Sequence, residues 1–232
     1  MTKLYLVRHG ESEGNFFKVT TGQIDMPLTD LGRQQARKTA EYLSEIKFDS
    51  VYSSDLSRAF ETCKIIDTAD LPVTVDKNLR EIDAGKWEGV PYDQTARLYP
   101  EDYAVWRSDI GRACPTGGES VASLYSRVNA ALDNIAAKEE GKTVLIATHA
   151  TPIRCIICRI SGLPVFELQN VPWVPNASVT VLDFADGRYE IKQIGYAGHL
   201  AGIETCLPER FPGAEEKQSN VAAATSAVRE KR

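Results

Sequence analysis

The sequence predicts an α/β fold, a three-layer α/β/α sandwich whose sheet is mostly parallel and carries an antiparallel hairpin at one edge. Two observations predict this architecture. Short apolar runs alternate with amphipathic segments of helical spacing, and the runs at residues 4–7 and 143–147 suit parallel strands that are covered on both faces. Near the end of the chain, Asp186 and Gly187 separate two strand-like segments, which predicts a tight hairpin turn.

The predicted elements alternate along the chain. Thr29 or Asp30 caps the first helix, because a side-chain oxygen there can accept from N–H groups of the first turn. Pro100 interrupts a later helix, since proline lacks a backbone donor. The strands are predicted at residues 4–7, 50–53, 73–75, 143–147, 178–184 and 188–194. The helices are predicted from residue 29 or 30 to about 46, and at residues 55–69, 92–108, 119–138 and 152–161.

One domain is expected from the length of 232 residues and from the composition. With 43% hydrophobic and 25% charged residues, the chain has the make-up of an ordinary globular protein. We assign residues 1–214 to this domain. Residues 215–232 contain no aromatic residue and are rich in Ala, Ser, Glu and Lys, so we predict a mobile tail there.

Charge and cysteine content exclude several classes of protein. The 27 basic and 32 acidic residues give a net charge of −5, which argues against a nucleic-acid partner held by bulk positive charge. No apolar run approaches the ~18 residues that a membrane-spanning helix needs, so no membrane partner is expected. Five cysteines do not suggest a disulfide framework, and we predict a reducing, cytoplasmic location.

Two of the three histidines follow predicted strands directly. His9 comes after the strand at residues 4–7, and His149 after the strand at residues 143–147. Ligands of α/β proteins gather beyond the carboxyl ends of the strands. If these strands are neighbours in the sheet, the two imidazoles lie within several ångströms of each other.

Five motifs carry a family resemblance. They are residues 6–15 (LVRHGESEGN), 28–36 (LTDLGRQQA), 53–62 (SSDLSRAFET), 79–89 (LREIDAGKWEG) and 148–149 (TH). In this order and spacing they resemble the histidine phosphatase superfamily, the phosphoglycerate-mutase-like enzymes with an Arg-His-Gly signature. The resemblance spans roughly residues 3–200. It implies a phosphoglycerate-mutase-like fold, in which an insertion at about residues 85–119 forms a cap over the substrate.

The chemistry of a phosphomonoester fits these residue types. The ester is a dianion, which repels an anionic nucleophile, whereas a neutral imidazole nitrogen can attack phosphorus and hold the phosphoryl group. His9 is therefore the candidate nucleophile, as the resemblance also implies. Arg8, Arg58 and His149 would stabilise the charge on the transferred oxygens.

Further residues complete the expected site. Glu81 is the candidate general acid for the leaving alkoxide and the base for the hydrolytic water, with Asp83 as the alternative acid. Asn15 and the backbone near Thr21 and Gly22 are expected to hydrogen-bond the phosphate or the leaving group. No metal and no cofactor are expected, because the arginines supply the positive charge.

Four residues are open to two interpretations. Ser12 binds phosphate or caps a turn. Trp87 and Trp106 line the mouth of the pocket or pack in the interior, and packing is the preferred interpretation. His199 belongs to a Gly-His pair that often follows the last strand in this family, so we favour a structural role for it.

The motifs favour a phosphatase over a mutase. In similar mutases, a tyrosine and a lysine occupy the positions of Ala84 and Tyr92, and they help to hold a doubly phosphorylated intermediate. After the second histidine, many relatives have glycine where this chain has Ala150, followed by Thr151. We expect the methyl group of Ala150 to border the substrate and to narrow the pocket.

We therefore predict a metal-independent phosphatase that hydrolyses a small phosphorylated metabolite through a phosphohistidine on His9, with Glu81 as general acid and base. The motifs look most like those of small-molecule phosphatases such as the α-ribazole phosphatase type. A phosphoglycerate mutase is the alternative, followed by a non-catalytic module that binds phosphate or phosphoproteins. The sequence leaves open whether the chain forms a homodimer.

Overall fold

The structure is a computed structural model that describes residues 1–67 and 69–205. The tail predicted at residues 215–232 lies outside the described part. The strands are β1 (Thr2–Arg8), β2 (Ser50–Ser53), β3 (Val73–Val75), β4 (Thr143–Thr148), β5 (Val179–Ala185) and β6 (Arg188–Tyr196). Within the described residues these six strands form one sheet in the order β3-β2-β4-β1-β5-β6.

Helices connect the strands. The α-helices are α1 (Glu13–Phe16), α2 (Asp30–Tyr42), α3 (Ser57–Ile66), α4 (Tyr92–Leu98), α5 (Pro100–Ser108), α6 (Val121–Lys138) and α7 (Ala150–Ile160). Short 3-10 helices cover Lys77–Leu79, Gly85–Trp87, Ile110–Arg112, Val165–Asn170 and Gly198–Leu200. None of the helices in the described residues is long and apolar enough to cross a membrane.

Helices cover both faces of the sheet, because successive side chains of a strand point to opposite sides. Val144 and Ile146 of β4 belong to a buried cluster with α6 and α7. Leu145 and Ala147 belong to a second cluster, which includes Cys63 of α3 and the segment after α2. The predicted three-layer α/β/α sandwich is therefore confirmed, and so is its antiparallel edge, which β5 and β6 form.

The register of the strands brings several loops to one edge of the sheet. β1 and β4 are parallel, with Arg8 opposite Thr148, and β2 lies parallel on the other side of β4. β5 is antiparallel to β1, with Val179 opposite Val7, so β5 begins where β1 ends. The residues that follow β1, β2 and β4 and those that precede β5 therefore leave the sheet at the same edge.

Two helices, one on each side of β2, end earlier than the sequence predicts. The helix predicted at residues 55–69 extends only over Ser57–Ile66. Its end is set by Asp67, whose carboxylate accepts from the N–H of Leu71 at 2.7 Å and turns the chain. The first long helix likewise ends at Tyr42 rather than near residue 46, where the N–H of Ile46 donates back to Leu43 in a turn.

Three further helix starts differ from the prediction, and at two of them a side-chain cap explains the difference. Helix α6 begins at Val121 because the hydroxyl of Ser120 accepts from the first turn. Helix α7 begins at Ala150, two residues before Pro152, since proline in a first turn lacks only a donor that has no helical partner. Helix α1, predicted as loop, forms through a reciprocal cap between Ser12 and Asn15.

The segment between β3 and α6 is built from short elements. Pro100 separates α4 from α5 as predicted, and α5 has no fully buried residue. Trp87 anchors the segment with 3% of its surface exposed, and its ring contacts those of Tyr99, Tyr103 and Trp106. An aromatic cluster therefore holds this segment together where regular secondary structure is short.

Candidate active site

His9 and His149 lie together at the edge where β1 and β4 end. They follow the paired residues Arg8 and Thr148, and their ring centroids are 5.0 Å apart. Only 5% of the surface of His9 and none of that of His149 is exposed. The parallel pairing of β1 and β4 thus places the two imidazoles in contact, as expected.

A backbone carbonyl fixes the protonation of His9. Its Nδ1 lies 2.6 Å from the carbonyl oxygen of Gly10, which can only accept, so Nδ1 carries the proton and Nε2 the lone pair of the neutral ring. Burial, followed by the positive charges of Arg58 and Arg8, lowers the pKa of His9 well below its ordinary value of 6.5. His9 is therefore neutral at pH 7, with the lone pair of its ring on Nε2.

Asn176 holds the main chain around His9, although it was not among the predicted site residues. Its Nδ2 lies 3.0 Å from the carbonyl oxygen of His9, 3.2 Å from that of Gly10 and 3.1 Å from Oδ1 of Asn15. Asn176 precedes β5, whose first residues lie beside the last residues of β1. The predicted antiparallel edge strand was the sequence signal that could have identified this position.

Two glycines allow close approaches around the site. A Cβ at Gly10 would lie 2.4 Å from the carbonyl oxygen of Gly32, so no side chain fits next to His9. Gly22 has a φ of 51°, and a Cβ there would lie 2.1 Å from Oε1 of Glu88. Both turns therefore require glycine.

Arg8 and Arg58 are buried cations beside His9, with 7% and 1% of their surfaces exposed. Arg8 donates to the carbonyl of Val174 at 2.7 Å, and Arg58 to those of Ile24 and Gly22 at 2.9 and 2.6 Å. Burial lowers the pKa of each guanidinium to about 10, so both stay charged at pH 7. Within the described residues neither forms an ion pair, which leaves their charge for a bound anion.

His149 is buried behind His9, at the N-terminus of α7. Its Nε2 lies 2.9 Å from the hydroxyl of Ser54, while its Nδ1 has no hydrogen-bond partner among the described residues. Burial, followed by the charge of Arg58, lowers the pKa of His149 well below 6.5. Because α7 starts at Ala150, the positive end of its dipole points to this part of the site.

Glu81 lines the same pocket as His9. Its carboxylate accepts from the N–H groups of Ile82 at 2.8 Å and of Thr151 at 3.3 Å. Arg127 of α6 donates to the carbonyl of Glu81 at 2.9 Å and pairs with both oxygens of Glu119 at 2.7 and 2.8 Å. Arg127 therefore ties the backbone of Glu81 to the long helix.

Asp83 does not share this position. Its Oδ1 accepts from the N–H of Gly85 at 2.9 Å, and its carbonyl accepts from the N–H of Glu119 at 2.8 Å. Asp83 is absent from the residues that line the pocket in the described part of the chain. The geometry therefore favours Glu81 over Asp83 as the acid.

The remaining predicted residues surround the same cavity, whose volume is about 110 Å³. It is lined by the predicted residues Arg8, His9, Asn15, Thr21, Gly22, Arg58, Glu81 and Ala150, with His149 behind them. Ser12 is fully buried and accepts from the N–H of Asn15 at 3.4 Å, so it caps α1 instead of lining the cavity. The structure thus brings together the residues that the motifs singled out.

Aromatic side chains form a further part of the lining, which we call the wall. Trp87, Trp106 and Trp173 all line the cavity, together with Tyr92. Trp87 and Trp106 also pack against each other, with ring centroids 5.7 Å apart. The two tryptophans therefore combine both interpretations, since they pack together and also line the cavity. Trp173 was not among the predicted residues, because it lies in an irregular segment before β5 with no motif around it.

His199 lies outside the cavity. Its Nε2 is 3.0 Å from the hydroxyl of Thr39, and its ring stacks on Tyr42 at 4.8 Å and on Tyr196 at 5.8 Å. These contacts fit a structural role. The described part of the chain contains no group of three or more His, Cys, Asp or Glu side chains arranged to hold a metal ion.

Proteins similar to this chain include phosphatases and mutase-like proteins. Phosphoglycerate mutase-like protein 4 from Arabidopsis thaliana is 38% identical over 205 residues, which cover 85% of this chain and 86% of that protein. Phosphoserine phosphatase 1 from Hydrogenobacter thermophilus is 33% identical over 201 residues, which cover 86% and 95%.

Solved structures agree with the fold. YhfR from Bacillus stearothermophilus matches with a TM-score of 0.82 and 31% identity, covering 86% of this chain and all of that one. The α-ribazole phosphatase from Shigella flexneri matches with a TM-score of 0.76 and 26% identity, covering 84% of this chain and 96% of that one. This match agrees with the resemblance of the sequence motifs to phosphatases of that type. The model of the histidine phosphatase superfamily (branch 1) matches residues 4–196, so this chain, with its paired histidines at adjacent strand ends, belongs to that superfamily.

Proposed function

We propose that this protein is a metal-independent phosphatase that hydrolyses a small phosphomonoester through a phosphohistidine on His9. The observation that carries the proposal is the state of His9. Its Nδ1 is hydrogen-bonded to a carbonyl and its ring is neutral. Beside it lie Arg8 and Arg58, which form no ion pair with any described residue. A neutral nucleophile among fixed cations suits attack on a dianion.

The first step forms the phosphoryl enzyme. Nε2 of His9 attacks phosphorus while the bond between phosphorus and the ester oxygen breaks. Glu81, protonated, gives its proton to the leaving oxygen, so that an alcohol departs. Arg8, Arg58 and His149 stabilise the charge on the three transferred oxygens, with Asn15 and the N-terminus of α7 as further donors.

The second step restores the enzyme. Glu81, now ionised, takes a proton from water as the water oxygen attacks phosphorus. The bond between phosphorus and Nε2 breaks, the electron pair returns to His9, and inorganic phosphate leaves. The hydrogen bonds of Glu81 to Ile82 and Thr151 support this role, because they hold the carboxylate at the pocket.

A phosphoglycerate mutase is the second candidate, and the likeness to a phosphoglycerate mutase-like protein from Arabidopsis thaliana favours it. A mutase must bind a doubly phosphorylated intermediate and needs cations for both ends. In the described residues, the arginines and lysines that line the cavity are only Arg8 and Arg58, and Ala84 and Tyr92 also line it. This supply of charge favours the phosphatase.

Two further features of the proposed enzyme are a cap over the cavity and a cytoplasmic location. We infer that residues of about 85–119 act as a cap, since Trp87, Trp106 and Pro115 from this segment border the cavity. The free thiols of Cys63, Cys155 and other described cysteines support a reducing, cytoplasmic location.

Two assays with the purified protein test the proposal. We expect release of inorganic phosphate from p-nitrophenyl phosphate, and slower or no interconversion of 2- and 3-phosphoglycerate. Interconversion without phosphate release would establish the mutase instead. Binding of phosphopeptides without turnover of any phosphomonoester would establish a non-catalytic module.

A further inference from the structure

We propose that the preferred substrate carries an uncharged alcohol with a planar ring, which binds against Trp106 and Trp173. This inference rests on the proposed phosphatase function and narrows its substrate class. It excludes alcohols with a second anionic group, such as phosphoglycerates and phosphoserine, as preferred substrates.

The first observation is the distribution of tryptophan. The sequence of 232 residues contains three tryptophans, and all three line this one cavity. Ile82 and Pro115 add further apolar surface to it. Indole and planar rings attract each other through stacked or edge-to-face contacts, in addition to the burial of apolar area.

The second observation is that these rings are held in place before any ligand binds. Trp106 lies edge-on to the buried Trp87, with centroids 5.7 Å apart and planes at 65°. The guanidinium of Arg154 lies 4.4 Å from the ring centroid of Trp173. Arg154 is itself 2% exposed and donates to the carbonyl of Val171 at 2.9 Å, two residues before Trp173. Side chains fixed in this way lose little entropy on binding.

The third observation is the position of charge. Arg8 and Arg58 lie beside His9, where the phosphoryl group binds, and no lysine or further arginine lines the cavity within the described residues. The carboxylate of Glu81 also faces the cavity. An anionic group on the alcohol would lose water and meet an apolar wall with a carboxylate nearby, which is unfavourable.

The fourth observation concerns neutral polar residues. Thr20, Thr21 and Thr151 line the cavity and carry no charge. Such residues suit neutral donors and acceptors, such as ring nitrogens or hydroxyl groups on the alcohol. The lining thus suits an uncharged ring with a few polar atoms.

A pair of matched esters tests the role of charge. Phenyl phosphate and 4-carboxyphenyl phosphate share a ring, but the second carries an extra anion and has the better leaving group. We expect kcat/KM for phenyl phosphate to be at least about tenfold higher, against the order of leaving-group reactivity. Benzyl phosphate should likewise exceed phosphoserine. Equal or reversed preferences in both pairs overturn the inference.

A pair of variants tests the ring contact. The readout is the ratio of kcat/KM for benzyl phosphate to that for ethyl phosphate, which cancels differences in the amount of folded enzyme. Trp106→Ala is expected to lower this ratio by about tenfold. Val105→Ala is the matched control, because this residue lies on the same helix and is 40% exposed outside the cavity, so it should leave the ratio unchanged.

The outcomes separate the two proposals. If the wild-type protein releases phosphate from none of these esters, the proposed phosphatase function fails. If it hydrolyses them but prefers the anionic members, or if Trp106→Ala leaves the ratio unchanged, the phosphatase stands and the substrate class is wrong.

Discussion

The floor and the wall of the pocket are built in different ways. The floor consists of polar residues at the ends of buried strands, such as His9 and His149, which the register of the sheet fixes. The wall consists of aromatic residues on short helices and in an irregular segment before β5, and of these helices α5 has no fully buried residue. Changes in the floor should therefore affect the chemistry at phosphorus, whereas changes in the wall should affect the choice of alcohol.

Removing the nucleophile should have the largest effect. His9→Ala is expected to lower kcat/KM for p-nitrophenyl phosphate by at least about 10³-fold, because the variant lacks the imidazole that forms the phosphoryl enzyme in the proposed mechanism. Mass spectrometry of the wild type during turnover should find the phosphoryl adduct, and the variant should lack it. His199→Ala, a change outside the pocket, is the control and should keep its activity once thermal melting has shown that it is folded.

Removing the acid should have an effect that depends on the leaving group. Glu81→Gln is expected to lower kcat/KM for ethyl phosphate by about 10²–10⁴-fold. The loss should be smaller with p-nitrophenyl phosphate, since nitrophenolate leaves without a proton. Asp83→Asn serves as the control, because Asp83 does not line the pocket. A larger loss in Asp83→Asn than in Glu81→Gln would exchange the roles of these residues.

Releasing the support of Glu81 should have a smaller effect. Arg127→Met is expected to lower kcat by about tenfold, because the carboxylate is no longer held in its productive position. The loss should again be greater for ethyl than for p-nitrophenyl phosphate, with KM little changed. Arg159→Met, which removes a similar arginine paired with Asp133 on the surface, controls for general destabilisation. Equal losses with both substrates would show that Arg127 has a purely structural role and does not act through Glu81.

The pKa values of the floor can be measured directly. Burial and the arginines lower the pKa of His9, so its neutral form persists as the pH falls through 6.5 and is lost only below that value. With three histidines in the chain, proton NMR of the ring resonances can follow each, assigned through His9→Asn and His199→Asn. We expect every titration midpoint below 6.5, and that of His9 below that of His199. A midpoint for His9 at or above 6.5 contradicts the neutral nucleophile.

Chelation should have the smallest effect. Activity is expected to be unchanged after treatment with EDTA, since in the proposed mechanism Arg8 and Arg58 supply the positive charge that metal ions supply in other phosphoryl-transfer sites. The measurement is phosphate release before and after dialysis against the chelator. Loss of activity that magnesium restores would show that the arginines are not sufficient.

The floor was largely predictable from the sequence because strands and motifs define it. The apolar run at residues 143–147 identified β4, and the histidine after it followed from the topology of parallel sheets. Asn176 was not predicted because the motifs mark residues that follow strands, whereas an antiparallel strand brings the residues that precede it to the same edge. The start of α7 at Ala150 was missed because Pro152 suggested a later first turn.

The wall was less predictable, because its geometry depends on contacts between distant segments. Trp106 and Trp173 meet the cavity from two sides, and no spacing in the sequence relates them. The support of Trp173 comes from Arg154 on α7, through a cation–π contact and hydrogen bonds to backbone carbonyls. Such interactions leave no periodic pattern.

The clustering of every tryptophan at one cavity gives the protein a built-in optical signal. Because Trp87, Trp106 and Trp173 are the three indoles of the chain, its ultraviolet-excited emission comes from the surroundings of the pocket. In His9→Ala, where turnover is prevented, quenching of this emission by an added ester would report occupancy without a label. Because this emission reports on one part of the fold, unfolding experiments on this protein need a second probe.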